Sequence, residues 1–207
     1  LALNGRLPAQ SACITVLMTD LEGFTRSSER MSPGALMAWL NDYMDVMVPI
    51  VERHDGLVDG YWGDAIKADF GAPEPRDQEA EIEADAVNAV RCALAMGEAM
   101  KALIQEWSAA GKPTVRMRIG INTGNVVMGS QGSRERLKYT SMGDTVNVAA
   151  RLEAVDKESF EAEADPLACR ILVSDATRRH LGGRFELQDI GDHPLKGKGD
   201  SVRIYRV

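Results

Sequence analysis

Two long stripes of apolar residues at helical spacing, parted by a pair of short strand-like runs, constrain this fold most. Leu36, Leu40, Met44, Met47 and Val51 recur three or four residues apart, which places them on one face of a helix over 33–53. Ser32 supplies its N-cap and Pro33 its first residue, and His54, Asp55 and Gly56 end it. Ile82, Ala86, Ala89, Ala93, Met96 and Met100 form the second stripe, over 79–110. Between the two helices, 57–61 and 65–70 predict strands joined at Trp62, Gly63 and Asp64, a hairpin with an aspartate at its tip. The near-continuous apolar run ACITVLMT at 12–19 precedes everything and suits a central strand. Segments 115–121 and 126–129 predict a further hairpin, turning at Asn122, Thr123, Gly124 and Asn125.

Strand, helix, hairpin, helix, strand is the βαββαβ order of a ferredoxin-like α+β fold. Its sheet is dominated by antiparallel pairs, and both helices lie on one face. Right-handed crossovers bring the first strand beside the first hairpin. Asp20, where VLMTDLEGFT breaks into a turn, then comes close to Asp64 across 44 residues of sequence. Beyond this core the sequence predicts a short strand at 137–141, a helix at 145–155 capped by Asp144, and an exposed acidic insertion at 156–166. A strand at 170–173, a helix at 175–181 and strands near 184–190 and 202–206 complete the chain. Residues 1–11 are an arm or linker, and 12–207 are one domain.

A net charge of −7 with no long basic run argues against a nucleic-acid partner. An anionic substrate must instead meet local positive charge or metal. Cys13, Cys92 and Cys169 lie far apart with no CxxC pair, the pattern of buried thiols in a reducing, cytoplasmic setting. No apolar run approaches the roughly 20 residues of a membrane span, so no membrane contact is expected within the chain. It opens on Leu, not Met, which suggests a piece of a longer protein with any regulatory domain outside it.

Three strings carry chemistry. Asp20 and Asp64 are hard oxygen donors suited to divalent cations that bridge triphosphate oxygens; taken singly, each is also a common turn residue. Gly23, Phe24 and Thr25 follow Asp20 in a turn whose N–H groups suit phosphate. Asn147 and Arg151 in GDTVNVAARL stand at i and i+4 on one helix face. An amide there suits a ribose, and a guanidinium suits charge developing on a phosphoryl group; pairing of Arg151 with Glu153 or Asp156 is the plainer alternative. Lys196 in PLKGKGD is a point charge in a glycine-flanked loop, suited to a terminal phosphate or simply to water. Arg118 in VRMRIGI either reaches a phosphate or faces solvent.

Together TDLEGFT, the hairpin Gly63-Asp64, RIGINTG, YTSMGDTVNVAARL and LKGKG, in this order, resemble the catalytic domain of the class III adenylyl/guanylyl (nucleotidyl) cyclases. The likeness runs from Ile14 to Val207. It implies that Asp20 and Asp64, with the Leu21 carbonyl, hold two Mg2+ or Mn2+ ions. Asn147 and Arg151 then position the ribose and stabilise the transition state, and Arg118 and Lys196 contact phosphates. The implied reaction closes a 3′,5′-cyclic nucleotide on ATP and releases pyrophosphate. The implied assembly is a head-to-tail homodimer that builds each site from both chains.

One departure stands out. Adenylyl cyclases usually carry a base-reading lysine three residues before Gly63, where this chain has Gly60. The partner position is Thr140, as in some adenylate-forming members, and the glutamate and cysteine typical of guanylate-forming ones are missing. ATP is therefore expected, with GTP, dual specificity or a nucleotide-binding pseudo-cyclase as alternatives. Lys67 is an odd charge in an apolar run; an outward, solvated lysine is the first reading, and a substitute for the missing lysine the second.

Overall fold

The computed structural model describes residues 6–155, 168–194 and 201–207. Strand β1 (Gln10–Glu22) leads through a short helix α1 (Phe24–Ser28) into α2 (Pro33–Arg53). The hairpin β2 (Gly56–Trp62) and β3 (Ala65–Phe70) follows, then α3 (Glu79–Ala109) and β4 (Arg116–Gly132). β5 (Leu137–Met142), α4 (Asp144–Glu153), β6 (Cys169–Ser174), α5 (Asp175–His180), β7 (Gln188–Pro194) and β8 (Ser201–Arg206) complete the described chain. One sheet runs β2-β3-β1-β4-β6-β8-β7, with β5 paired to β4. Every ladder is antiparallel except β4 with β6. The predicted βαββαβ core is therefore present, as β1, α2, the β2–β3 hairpin, α3 and β4.

Pleating sorts the side chains of the three central strands, because successive residues point to opposite faces. Leu17 and Leu21 of β1, Ile66, Ala68 and Phe70 of β3, and Met117, Ile119 and Ile121 of β4 form one apolar face. Against it pack α2 and α3, through Trp39, Tyr43, Met47, Ile50 and Val51 and through Ala86, Ala89, Ala93, Met96 and Met100. The stripe of α2 is rotated from the sequence expectation: Leu36, Leu40 and Met44 are only partly buried at its flank. Trp39 and Tyr43 have more apolar area to remove from water and take the centre. Asp20, Lys67, Asp69, Arg118 and Asn122 alternate with the apolar set and so share the opposite face, on which α4 sits.

The second predicted hairpin is absent. β4 runs straight through 122–125, paired with β1 from Gln10↔Met128 to Glu22↔Arg116. The polar residues that look like a turn are satisfied inside the sheet. Thr123 Oγ1 bonds Thr15 Oγ1 at 2.7 Å, and Asn122 Nδ2 donates to the Thr145 carbonyl at 3.0 Å. Gly124 admits the Thr145 hydroxyl, which would stand 2.8 Å from a Cβ at that position. The three cysteines are free thiols, Cys92 and Cys169 buried and Cys13 half-buried. Among the described residues no helix is long and apolar enough to cross a membrane.

Candidate active site

β1 ends beside the β2–β3 turn, and this brings Asp20 and Asp64 together. Gly63, at φ 65°, makes the tight turn that presents Asp64. The Leu21 N–H donates to Asp64 Oδ2 at 3.0 Å. Below it Thr19 Oγ1 accepts the Ile66 N–H at 3.0 Å and bonds the buried Tyr43 hydroxyl at 3.0 Å, tying both strands to α2. Burial pushes the Asp64 carboxyl above its usual range; the Leu21 N–H opposes this, and the charge and hydrogen bond of Asp20 add to it. An aspartate raised by burial and by a second carboxylate beside it fits divalent cations, because a cation relieves both burial and repulsion. Among the described residues no group of three or more His, Cys, Asp or Glu is arranged for metal.

Arg118 neither faces water nor stands open to a phosphate. It is the direct β-partner of Asp20, its side chain is 7% exposed, and its guanidinium pairs with Asp20 Oδ2 and, at 3.1 Å, with Glu153 Oε1 of α4. The Glu153 end of α4 lies over this guanidinium and, with Asp20, keeps it from solvent. Glu153 was foreseen only as a partner for Arg151. Gly23, at φ 76° and with open space around its Cα, turns the chain out of β1 into α1. The Phe24 ring stacks on Trp39, centroids 5.6 Å apart and 9° from parallel. Phe24 therefore anchors the turn in the core, and the backbone of 23–25 with the exposed Thr25 side chain is left to meet an anion.

Helix α4 starts differently from expectation: Gly143, at φ 140°, is the N-cap, and Asp144 lies in the first turn. Asn147 is exposed and Arg151 half-buried. Glu153 is turned toward Arg118 rather than Arg151. At about 100° per residue, Arg151 and Asn147 lie roughly 160° and 120° around the helix from Glu153. The Asn147/Arg151 face thus points away from the side of α4 that reaches Asp20.

A second polar cluster joins β2, β3 and β5, and here the solvated reading of Lys67 is overturned. Lys67 is 1% exposed, and its ammonium contacts Asp59, Asp69 Oδ2 at 3.2 Å, Ser141 Oγ at 2.6 Å and the Ser141 carbonyl at 3.0 Å. Its register places it on the polar face, and β5 closes over it. Asp59 sits where a bulge shifts the β2–β3 register between Val58 and Gly60. It also accepts the Thr140 hydroxyl at 2.8 Å and pairs with Lys138 at 3.2 Å. Nothing in the sequence singles out Asp59 or Lys138, because each is one charge beside a turn or in an edge strand. Lys196 and the 156–166 insertion lie outside the described residues.

Comparisons with known proteins agree with this fold. The family model for the Adenylate and Guanylate cyclase catalytic domain matches residues 8–206. Adenylate cyclase 1 of Rhizobium meliloti is 37% identical over 194 residues, covering 94% of this chain and 27% of that protein. The adenylate cyclase of Anabaena cylindrica is 32% identical over 206 residues, covering 96% and 37%. The chain thus spans between a quarter and two fifths of these relatives. The crystal structure of the adenylyl cyclase CyaB from P. aeruginosa superposes with a TM-score of 0.84 at 35% identity, covering 97% of this chain and 96% of that one. The guanylyl cyclase Cya2 also gives 0.84, at 32% identity, covering 97% and 94%.

Proposed function

The chain belongs to the class III adenylyl/guanylyl cyclase catalytic domain family, and from that premise we propose that it converts ATP to 3′,5′-cyclic AMP and pyrophosphate. The observation that carries the reading is the meeting of Asp20 and Asp64 at neighbouring strand ends, where burial and mutual charge raise the Asp64 carboxyl. In the reaction the ribose 3′-oxygen bonds the α-phosphorus, the bond to pyrophosphate breaks, and the 3′-hydroxyl proton passes to solvent water. Asp20, Asp64 and the Leu21 carbonyl would hold two Mg2+ or Mn2+ ions, which when bound supply Lewis-acid stabilisation of phosphoryl oxygens. Asn147 orients the ribose, and Arg151 meets the charge that develops at the α-phosphate. The backbone of 23–25 and Lys196 bind the remaining phosphates. Arg118 fixes Asp20 beside Asp64, and joins the phosphates only by releasing that carboxylate.

Asn147 and Arg151 project away from the carboxylates of their own chain, which favours a head-to-tail homodimer in which each site takes its aspartates from one copy and its α4 from the other. Tyr61 and Trp62, flanking the Asp64 turn, are each 52% exposed, and Val127 and Met142 are exposed partners on β4 and β5. Such apolar surface beside a charged site suits burial against a second copy. ATP is favoured over GTP by Thr140 and by the adenylate cyclases among the relatives. Measuring cyclic product from ATP and from GTP with manganese tests the proposal. Cyclic AMP in excess supports it; cyclic GMP in excess reassigns the substrate; no product from either leaves a binding module.

A further inference from the structure

We propose that Lys138 reads the purine edge of the nucleotide, entering from β5 the space that a side chain at position 60 would fill, while Asp59 holds Thr140 beside it as a fixed hydrogen-bond acceptor. This deepens the cyclase reading and rests on it. A Cβ on Gly60 would stand 2.6 Å from Lys138 Nζ. The glycine thus makes room for a lysine that arrives from the facing strand. The same ammonium lies 4.9 Å from the centroid of the Trp62 ring, which steers it without using a donor.

The buried lysine of this cluster is already consumed. An ammonium has three N–H donors, and Lys67 has Asp59, Asp69, the Ser141 hydroxyl and the Ser141 carbonyl around it. It therefore fixes Asp59 and draws β5 down onto β3. Lys138 is different. Its side chain is 44% exposed, and among the described residues its one ion pair is with Asp59 Oδ1 at 3.2 Å, which uses one donor and leaves two to meet a ligand.

Thr140 completes the pattern. A carboxylate only accepts, so the 2.8 Å bond to Asp59 Oδ2 takes the Thr140 proton and leaves the hydroxyl oxygen to accept. Lys138 and Thr140 are two residues apart on β5, hence on one face about 7 Å apart along the strand. A cationic donor beside a fixed acceptor matches the adenine edge, whose ring N1 accepts and whose exocyclic amino group donates. In the same pose guanine sets its N1–H against the ammonium and its carbonyl against the Thr140 oxygen. Mismatches of that kind leave polar groups unpaired and are rejected more strongly than a lost apolar contact. β5 runs through Met142 and Gly143 directly into α4, so one copy would present both the base cluster and the ribose-orienting Asn147.

The experiment compares kcat/KM for ATP, GTP and 1-deaza-ATP, in which a CH replaces the ring N1, with manganese for the wild type, Lys138→Met and Lys67→Met. The wild type should prefer ATP to 1-deaza-ATP by about tenfold, the value of one hydrogen bond to a charged group. Lys138→Met should treat the two alike within about twofold and lose about tenfold of its preference for ATP over GTP. Lys67→Met should melt earlier and, where folded, keep the 1-deaza discrimination. A Lys138→Met enzyme that cycles ATP and still discriminates against 1-deaza-ATP overturns this inference and leaves the cyclase reading intact. Loss of discrimination in folded Lys67→Met alone also overturns it. A wild type that makes no cyclic product from any of the three overturns the cyclase reading itself.

Discussion

Gly120→Ala should weaken fold and catalysis together, because this glycine is where α4 lies against the sheet. A methyl there would stand 2.9 Å from Leu152 Cβ, and closer still to the Ala149 carbonyl oxygen and the Glu153 backbone nitrogen. Carbon atoms pack best at about 3.5–4.0 Å, so α4 must withdraw by about 1 Å. Two of the three obstacles are backbone, which cannot rotate aside as a side chain does. Overpacking typically costs about 1–3 kcal/mol, and this geometry argues for the upper end. In a domain of this size about 3 kcal/mol lowers Tm by roughly 6–12 °C. Because α4 carries Asn147 and Arg151, the displacement also misplaces both; an error of about 1 Å at reacting groups can cost about 100-fold in rate. Thermal unfolding and kcat with manganese-ATP measure the two effects on one sample. Gly34→Ala is the control: it lies in the first turn of α2 with nothing within 4 Å of its Cβ, and should be neutral or stabilise by up to about 1 kcal/mol. A Gly120→Ala protein with wild-type Tm and turnover would refute the argument that close backbone approach fixes α4.

Other expectations follow from the site. Asp64→Ala should abolish cyclic product while lowering unfolding free energy by only about 1–2 kcal/mol, since the Leu21 N–H loses its acceptor but the burial of the carboxyl and its repulsion with Asp20 are relieved; normal turnover would exclude the carboxylate role. Asp20→Ala and Arg151→Ala, each inactive alone, should recover activity when mixed, because a mixed dimer retains one intact site; well-folded mixtures that stay silent count against shared sites. Burial would raise the Asp175 carboxyl, but hydrogen bonds and charge from Arg178 and Arg179 outweigh it and hold it below its usual range. Its contribution is therefore present above the unfolded pKa and lost as pH falls through the lower folded one. Asp175→Asn should cost at most about 1 kcal/mol at neutral pH after solvent screening, with the gap to wild type closing in acid urea titrations.

Local signals were legible wherever periodicity and turn chemistry agreed. The α2 and α3 stripes, the Ser32 cap and the Trp62-Gly63-Asp64 turn each follow from residues within a few positions of one another. The 122–125 segment misled because Asn, Thr and Gly make turns when water is their partner, whereas here Thr15, Ser174, Thr177 and Thr145 take that role. Those partners come from four other elements, and no local window contains them. Lys67 misled in the same way: a lone charge in a strand is cheapest in solvent, until Asp69 of its own strand, Asp59 of β2 and Ser141 of β5 surround it. Arg118 was visible as off the apolar face, but not as covered by α4.

These misreadings share one cause, and it also explains why the site exists where it does. In β1, β3 and β4 the side chains alternate between a face sealed by α2 and α3 and a face left for polar contacts. Asp20 stands between Thr19 and Leu21, Lys67 between Ile66 and Ala68, and Arg118 between Met117 and Ile119. A slip of one residue in any of these ladders would drive a charge into the apolar layer and an aliphatic side chain into the site. The burial of Ile66, Met117 and Ile119, each at most 1% exposed, thus sets the register that holds Asp20 beside Asp64 and against Arg118. The packing of one face therefore fixes the geometry of the other. The charges that a sequence reading places in water are held at the opposite face by apolar neighbours that are never in contact with substrate.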